Sequence, residues 1–246
     1  MHRFWSDASV EAGEGGFAVR LDARPVRTPA GAVLAVPSRD LAEAIAAEWR
    51  AAGTGQGTGE GGGGKDGRVR PDALPLTRIA ATALDRVAPD PAATVAALSR
   101  YAETDLLCYR ADQPPELAAR QHALWQPHLD WAAQALDAPL SVTRGIMPLS
   151  QDASALAALS RALARLDAFQ LAAAALAVGA LGSLVLGLAL VHGRLDAAAA
   201  TEASLVDEHF QARLWGEDAE AAARRARIAE EVALAARFLD LCRAPA

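Results

Sequence analysis

The chain is 246 residues long, 52% hydrophobic and 22% charged, with a formal net charge of −6. That mix belongs to a folded globular protein able to bury a core in one large or two modest domains. The acidic balance excludes a broad nucleic-acid footprint, and two cysteines, Cys108 and Cys242, exclude a disulfide framework or a Cys-rich metal site.

The opening MHRFWSDASVEAGEGG carries acids early and no apolar run. Neither a secretory signal nor a transit peptide is therefore expected, and the bacterial cytoplasm is the simplest compartment. Phe17 to Leu21 alternates weakly, Pro25 to Thr28 is extended by its prolines, and Val33 to Val36 is a short apolar run; these read as strands. Ser38 then has the chemistry of an N-cap, with Asp40 and Glu43 in the first turns of the helix it opens. Leu41, Ile45 and Trp49 share one face of that helix, which assigns Trp49 a structural role.

Residues 53–67 form a glycine-rich loop, expected to be flexible because ordering glycine is entropically costly. Beyond Pro71 and Pro75 the pattern turns helical, with helices expected near 77–87, 92–103, 115–136, 152–166, 168–179, 181–192, 195–214 and 217–241. Pro127 is expected to break or restart the third of these. Leu140 to Ile146 reads as an isolated strand or an extended connector. The fold class is α+β, with a small β-rich N-terminal domain over 1–75 and a larger α-helical domain over 76–246.

Leu171 to Val191 runs 21 residues without a charge, long enough to span a bilayer. Its glycines and alanines, the lack of Trp or Tyr at its ends and the absence of a positive-inside bias point instead to the centre of a helical bundle.

Catalytic signatures are weak. Gly59 to Lys65 fits a phosphate-binding loop up to its lysine, but Asp66 stands where Ser or Thr would hold magnesium, and a helix rather than a strand precedes it. An enzyme using this loop for a phosphorylated ligand or nucleotide is the alternative reading. No two histidines are spaced for a helical metal site, and Asp207, Glu208 and His209 point about 100° apart on a helix, so they do not converge. No catalytic residue, cofactor or metal site is assigned.

The helix over 195–214 is asymmetric. Leu195, Ala199, Ala203, Val206, Phe210 and Leu214 form a core stripe, while Thr201, Ser204, Glu208 and Trp215 lie opposite. Two arrangements fit. Trp215 and Glu208 belong to a contact surface, or the helix packs on both sides with Trp215 buried and Glu208 capping or paired with an arginine.

Several runs together resemble one family. They are RFW at 3–5, LDARPVRTP at 21–29, AEW at 47–49, PLT at 75–77, RYAETDLLCYRA at 100–111, LWQPHLDW at 124–131, GSLVLGLAL at 182–190 and VDEHFQARLWGED at 206–218. In this order they are similar to the ATP synthase assembly factors that chaperone the α subunit of the catalytic head. Gln126 departs from the family's usual Asp before the proline, and the glycine loop is unlike the family's usual short connection. The resemblance implies a soluble chaperone, not an enzyme, monomeric when free and without stable membrane insertion. It would cover the interface of free α until the β subunit replaces it. It also implies partner contacts at Glu208 and the adjoining Asp207, with Ser204 and Trp215 on the same side.

Overall fold

The computed structural model describes residues 2–13, 15–52, 69–145 and 147–243. The glycine-rich stretch at 53–67, with Lys65, lies outside the described residues. The class is the expected α+β one, with four strands opening the chain, helices predominating after them, and two short strands set among those helices. The chain divides into two compact units, one of Met1–Asp90, Ala168–Ala172 and Arg237–Ala246, the other of Pro91–Asp167 and Ala173–Ala236.

In the first unit, β1 (Ala8–Gly13), β2 (Gly16–Leu21), β3 (Arg24–Pro25) and β4 (Ala35–Val36) make an antiparallel sheet centred on β2. β1 pairs along the whole of β2, from Ala8 opposite Leu21 to Gly13 opposite Gly16. β3 and β4 pair with its two ends. The helix α1 (Arg39–Ala51) opens as Ser38 Oγ accepts the Leu41 amide at 3.1 Å. Its buried face of Leu41, Ile45 and Trp49 belongs to the same core as Val19, Leu34 and Val36. Trp5 packs edge-on against Trp49, ring centroids 5.2 Å apart, and donates its indole N–H to the Trp49 carbonyl.

The expected boundary between 75 and 76 falls within this unit, because α2 (Pro75–Thr82) is tied to α1. Glu48 of α1 accepts the amides of Leu76 at 2.6 Å and Thr77 at 3.0 Å and the Thr77 hydroxyl at 2.8 Å. Leu74, at the cap position of α2, supplies no side-chain oxygen, so Glu48 caps the helix from outside it. Burial pushes the Glu48 carboxyl up, and these hydrogen bonds pull it back down.

The second unit holds α3 (Pro91–Ser99), α4 (Pro115–Leu136), α5 (Ala153–Ala164), α7 (Leu184–Val191), α8 (Ala197–Ser204) and α9 (Val206–Trp215). It also takes most of α6 (Ala168–Leu181) and α10 (Ala219–Cys242). Two short strands, β5 (Tyr109–Arg110) and β6 (Thr143–Arg144), pair in parallel. The apolar run 171–191 is split at Gly182, whose φ of +65° turns the chain, and Ser183, which caps α7. Among the described residues no helix is long and apolar enough to cross a membrane. At Gly187, an added Cβ would stand 2.3 Å from Val178 Cγ2, so glycine lets α6 and α7 approach closely.

Every residue of α7 from Leu184 to Val191 is buried, so its first amides cannot turn to water. Asp105 meets them. It is fully buried and accepts the Ser183 hydroxyl at 2.8 Å and the amides of Val185 and Leu107, both at 3.1 Å. Burial pushes this carboxyl up, against the pull of the donors around it.

Two further expectations are corrected. Pro127 does not break its helix, and α4 runs through it unbroken. Both Pro127 and Ala123, whose carbonyl loses a partner, are exposed, so water can take the orphaned acceptor. The helix expected over 195–214 is instead two, α8 and α9, jogged at Leu205, with Ala199 and Leu214 exposed rather than in the core stripe. Thr201 donates its hydroxyl to the Ala197 carbonyl and Ser204 donates to that of Thr201, a competition with the main chain that bends helices.

Replacing Asp105 by Asn is expected to cost about 2–3 kcal/mol, because an amide N–H₂ would replace one of the acceptor oxygens among buried donors. Urea denaturation of the variant tests this, and an unchanged midpoint would mean that α7 is capped otherwise.

Candidate partner-binding surface

The start of α9 is fixed by α4. Gln121, only 1% exposed, accepts the Ala111 amide at 2.8 Å and donates its side-chain N–H₂ to Asp207 Oδ1 at 2.7 Å. One turn along α4, Trp125 donates its indole N–H to the Ala203 carbonyl at 2.7 Å, at the jog between α8 and α9. These two contacts set the phase of α9 and decide which of its side chains reach solvent.

Of the four predicted contact residues, three are accessible in some degree. Asp207 is half-buried and engaged by Gln121. Glu208, one residue on, is half-buried and makes no side-chain hydrogen bond or ion pair among the described residues. Trp215 is 78% exposed, beside Leu214 at 58%. The arrangement with Trp215 buried is thus not the one adopted. Ser204 is buried, its hydroxyl turned to the Thr201 carbonyl, so it braces the jog and does not face outward. The jog is the reason, since it turns Ala203, Ser204, Leu205 and Val206 inward together.

Glu208 and Trp215, two helical turns apart, line one shallow groove of about 190 Å³ with Asp218 and Arg225. Asp218 accepts the Ala221 amide at 2.9 Å and so opens α10 beside the end of α9. Arg225 is committed to an ion pair with Glu217. The groove therefore joins an exposed indole to two carboxylates, one of them unpaired, which suits a partner bringing an apolar side chain and a cation. Gln121 and Asp218 were not readable as parts of this surface, the first because its partner lies 86 residues away, the second because its role depends on where α9 stops.

Burial pushes the Cys108 thiol up to about 12, with Asp105 nearby adding to the rise, so it is not a thiolate at neutral pH. Among the described residues no group of three or more His, Cys, Asp or Glu could hold a metal ion.

Residues 2–133 match the ATP12 chaperone protein family. The chain is similar to the mitochondrial protein atp12 of Schizosaccharomyces pombe, 26% identical over 226 residues that cover 87% of this chain and 73% of that one. Among solved structures it resembles Atp12 from Paracoccus denitrificans, with a TM-score of 0.88 and 42% identity over 98% of both chains. A protein from Agrobacterium tumefaciens gives a TM-score of 0.85 and 36% identity over 98% of this chain and 85% of that one.

Glu208→Gln is expected to leave the unfolding free energy from urea denaturation within about 0.5 kcal/mol of the parent. Asp207→Ala should cost about 1–3 kcal/mol, since it strands the buried Gln121. Equal losses in the two variants would assign Glu208 an internal role.

Proposed function

The chain belongs to the ATP12 chaperone family, and we propose that it serves ATP synthase assembly by binding the free α subunit of the catalytic head until the β subunit replaces it. The observation that carries this reading is Trp215, the most exposed large apolar side chain among the described residues, which shares a groove with Glu208, a carboxylate without an ion pair among them. A subunit built for a ring carries apolar surface that is open to aggregation before its neighbour arrives. A holder needs an anchor strong enough to keep that surface covered and a contact small enough to be displaced, on the order of 800 Å² per partner. An aromatic anchor with a charge at its edge meets both needs. In this reading Trp215 enters an apolar pocket of α, Glu208 meets a cation there, and Asp207 keeps α9 in phase. The protein works by binding and release, without turnover, where the α subunit is made, in the bacterial cytoplasm.

Co-purification of this chain with free α, using free β as control, tests the proposal. Trp215→Ala should fold as the parent does and bind α more weakly by about 2 kcal/mol, roughly thirtyfold. Retention of β and not α, or of neither, would overturn it.

A further inference from the structure

The two-residue ladder of β5 and β6 sets Arg110 directly opposite Arg144. In a parallel pair such residues present their side chains on the same face, with strands about 4.8 Å apart, and like charges so placed repel. Arg110 is 7% exposed. It donates through Nε to the Leu107 carbonyl at 3.0 Å, and its other nitrogens reach only Gln126 Oε1 at 3.3 Å and His122 Nδ1 at 3.5 Å. Of its five N–H groups two are therefore left over. Its guanidinium lies over the Trp125 ring, 5.5 Å from the centroid, a partial compensation only. Neither arginine forms an ion pair with a carboxylate among the described residues, and Asp130, held by Gln126, favours the Arg110 cation only from beyond contact distance. A nearly buried cation held against a second cation is costly unless an anion joins them.

The space for one is present. Arg110, Arg144, His122 and Gln126 line a cavity of about 630 Å³ whose remaining wall includes Ala118, Ala119 and Val142. A lining that combines polar donors with small apolar side chains fits a carboxylate carried on methylene groups. Asp112 also stands on the wall and would oppose a dianion such as phosphate more than a monoanion.

We infer that Arg110 and Arg144 form a carboxylate-binding site that takes an acidic side chain of the client, received bidentately by the free N–H groups of the two guanidiniums. The identity of the client rests on the function proposed above; the chemistry of the site does not.

The test has two arms. In the first, the arginine Nε–H signals of the whole chain are followed by NMR at constant ionic strength, with N-acetylglutamate α-amide, inorganic phosphate or chloride as the probe. Saturable shifts at Arg110 are expected with the glutamate probe, weaker effects with phosphate, and at least fivefold weaker binding of the glutamate probe in Arg144→Gln. Arg144 is exposed, so this variant should fold even where Arg110→Gln does not. In the second arm, Arg144→Gln should bind the α subunit about tenfold more weakly, Arg144→Lys should recover part of the loss, and Arg161→Gln, of equal charge, should bind as the parent does. No saturable shift, or phosphate binding as tightly as the glutamate probe, overturns the site. A glutamate probe that binds while Arg144→Gln holds α undiminished overturns its assignment to the client. If the parent chain holds no α at all, the proposed function and this client assignment fall together, while the first arm still decides the site.

Discussion

Asp105 stands at the first turn of α7 with no exposure to solvent, and three donors of the second unit converge on it. The helix it caps is buried along its whole length, so an uncapped N-terminus there would leave several amides unpaired in an apolar interior. A carboxylate is a demanding solution. It must itself be desolvated, and only the density of donors and the positive end of the helix offset that cost. Once it is in place, Leu106, Leu107 and Cys108 are fixed after it, and the following residues, Tyr109 and Arg110, enter the ladder with β6. From there Ala111 meets Gln121, and Gln121 meets Asp207 at the start of α9. One buried acid thus begins a chain of contacts that ends at the exposed surface. The first unit uses the same device, with Glu48 capping α2.

Much of this was legible in the residues, for identifiable reasons. Ser38 could be read as a cap because capping chemistry is local, and the helices followed from apolar spacing. β1 carried no signal, since Ala8 to Gly13 is a mostly exposed strand without a run of large apolar residues. Pro127 misled, because the cost of a proline depends on whether its helix face is wet, and that is decided by tertiary packing. The jog at Leu205 was likewise invisible to a periodicity that assumes one unbroken helix. It removed Ser204 from the surface and left Glu208 and Trp215 on it. Asp105 and Glu48 could not have been read as the caps of α7 and α2, because those helix starts lie 80 and 28 residues away. The same holds for Arg110 and Arg144, whose juxtaposition depends on the register of a ladder two residues long.

The two surfaces have complementary chemistry. Around Trp215 the chain offers an aromatic anchor and a carboxylate without an ion pair; around Arg110 it offers guanidinium groups that no carboxylate among the described residues contacts directly. Gln121 joins the two networks, since it bonds both the amide that follows Arg110 and the carboxylate that precedes Glu208. A client engaging both would be gripped by opposite charges at separate points, which favours one orientation over others without requiring a large apolar contact. Such a grip is specific, yet it can yield when a larger and more apolar interface forms on the client.

The central claim is that the end of α9 is where the client is held. Hydrogen exchange of the whole chain, measured with and without excess free α subunit, tests it most directly. The account predicts slowed exchange over residues 206–221 on addition of α, with the antiparallel sheet at 8–25 unchanged. Protection confined to that sheet, with 206–221 exchanging as in the free chain, would contradict it.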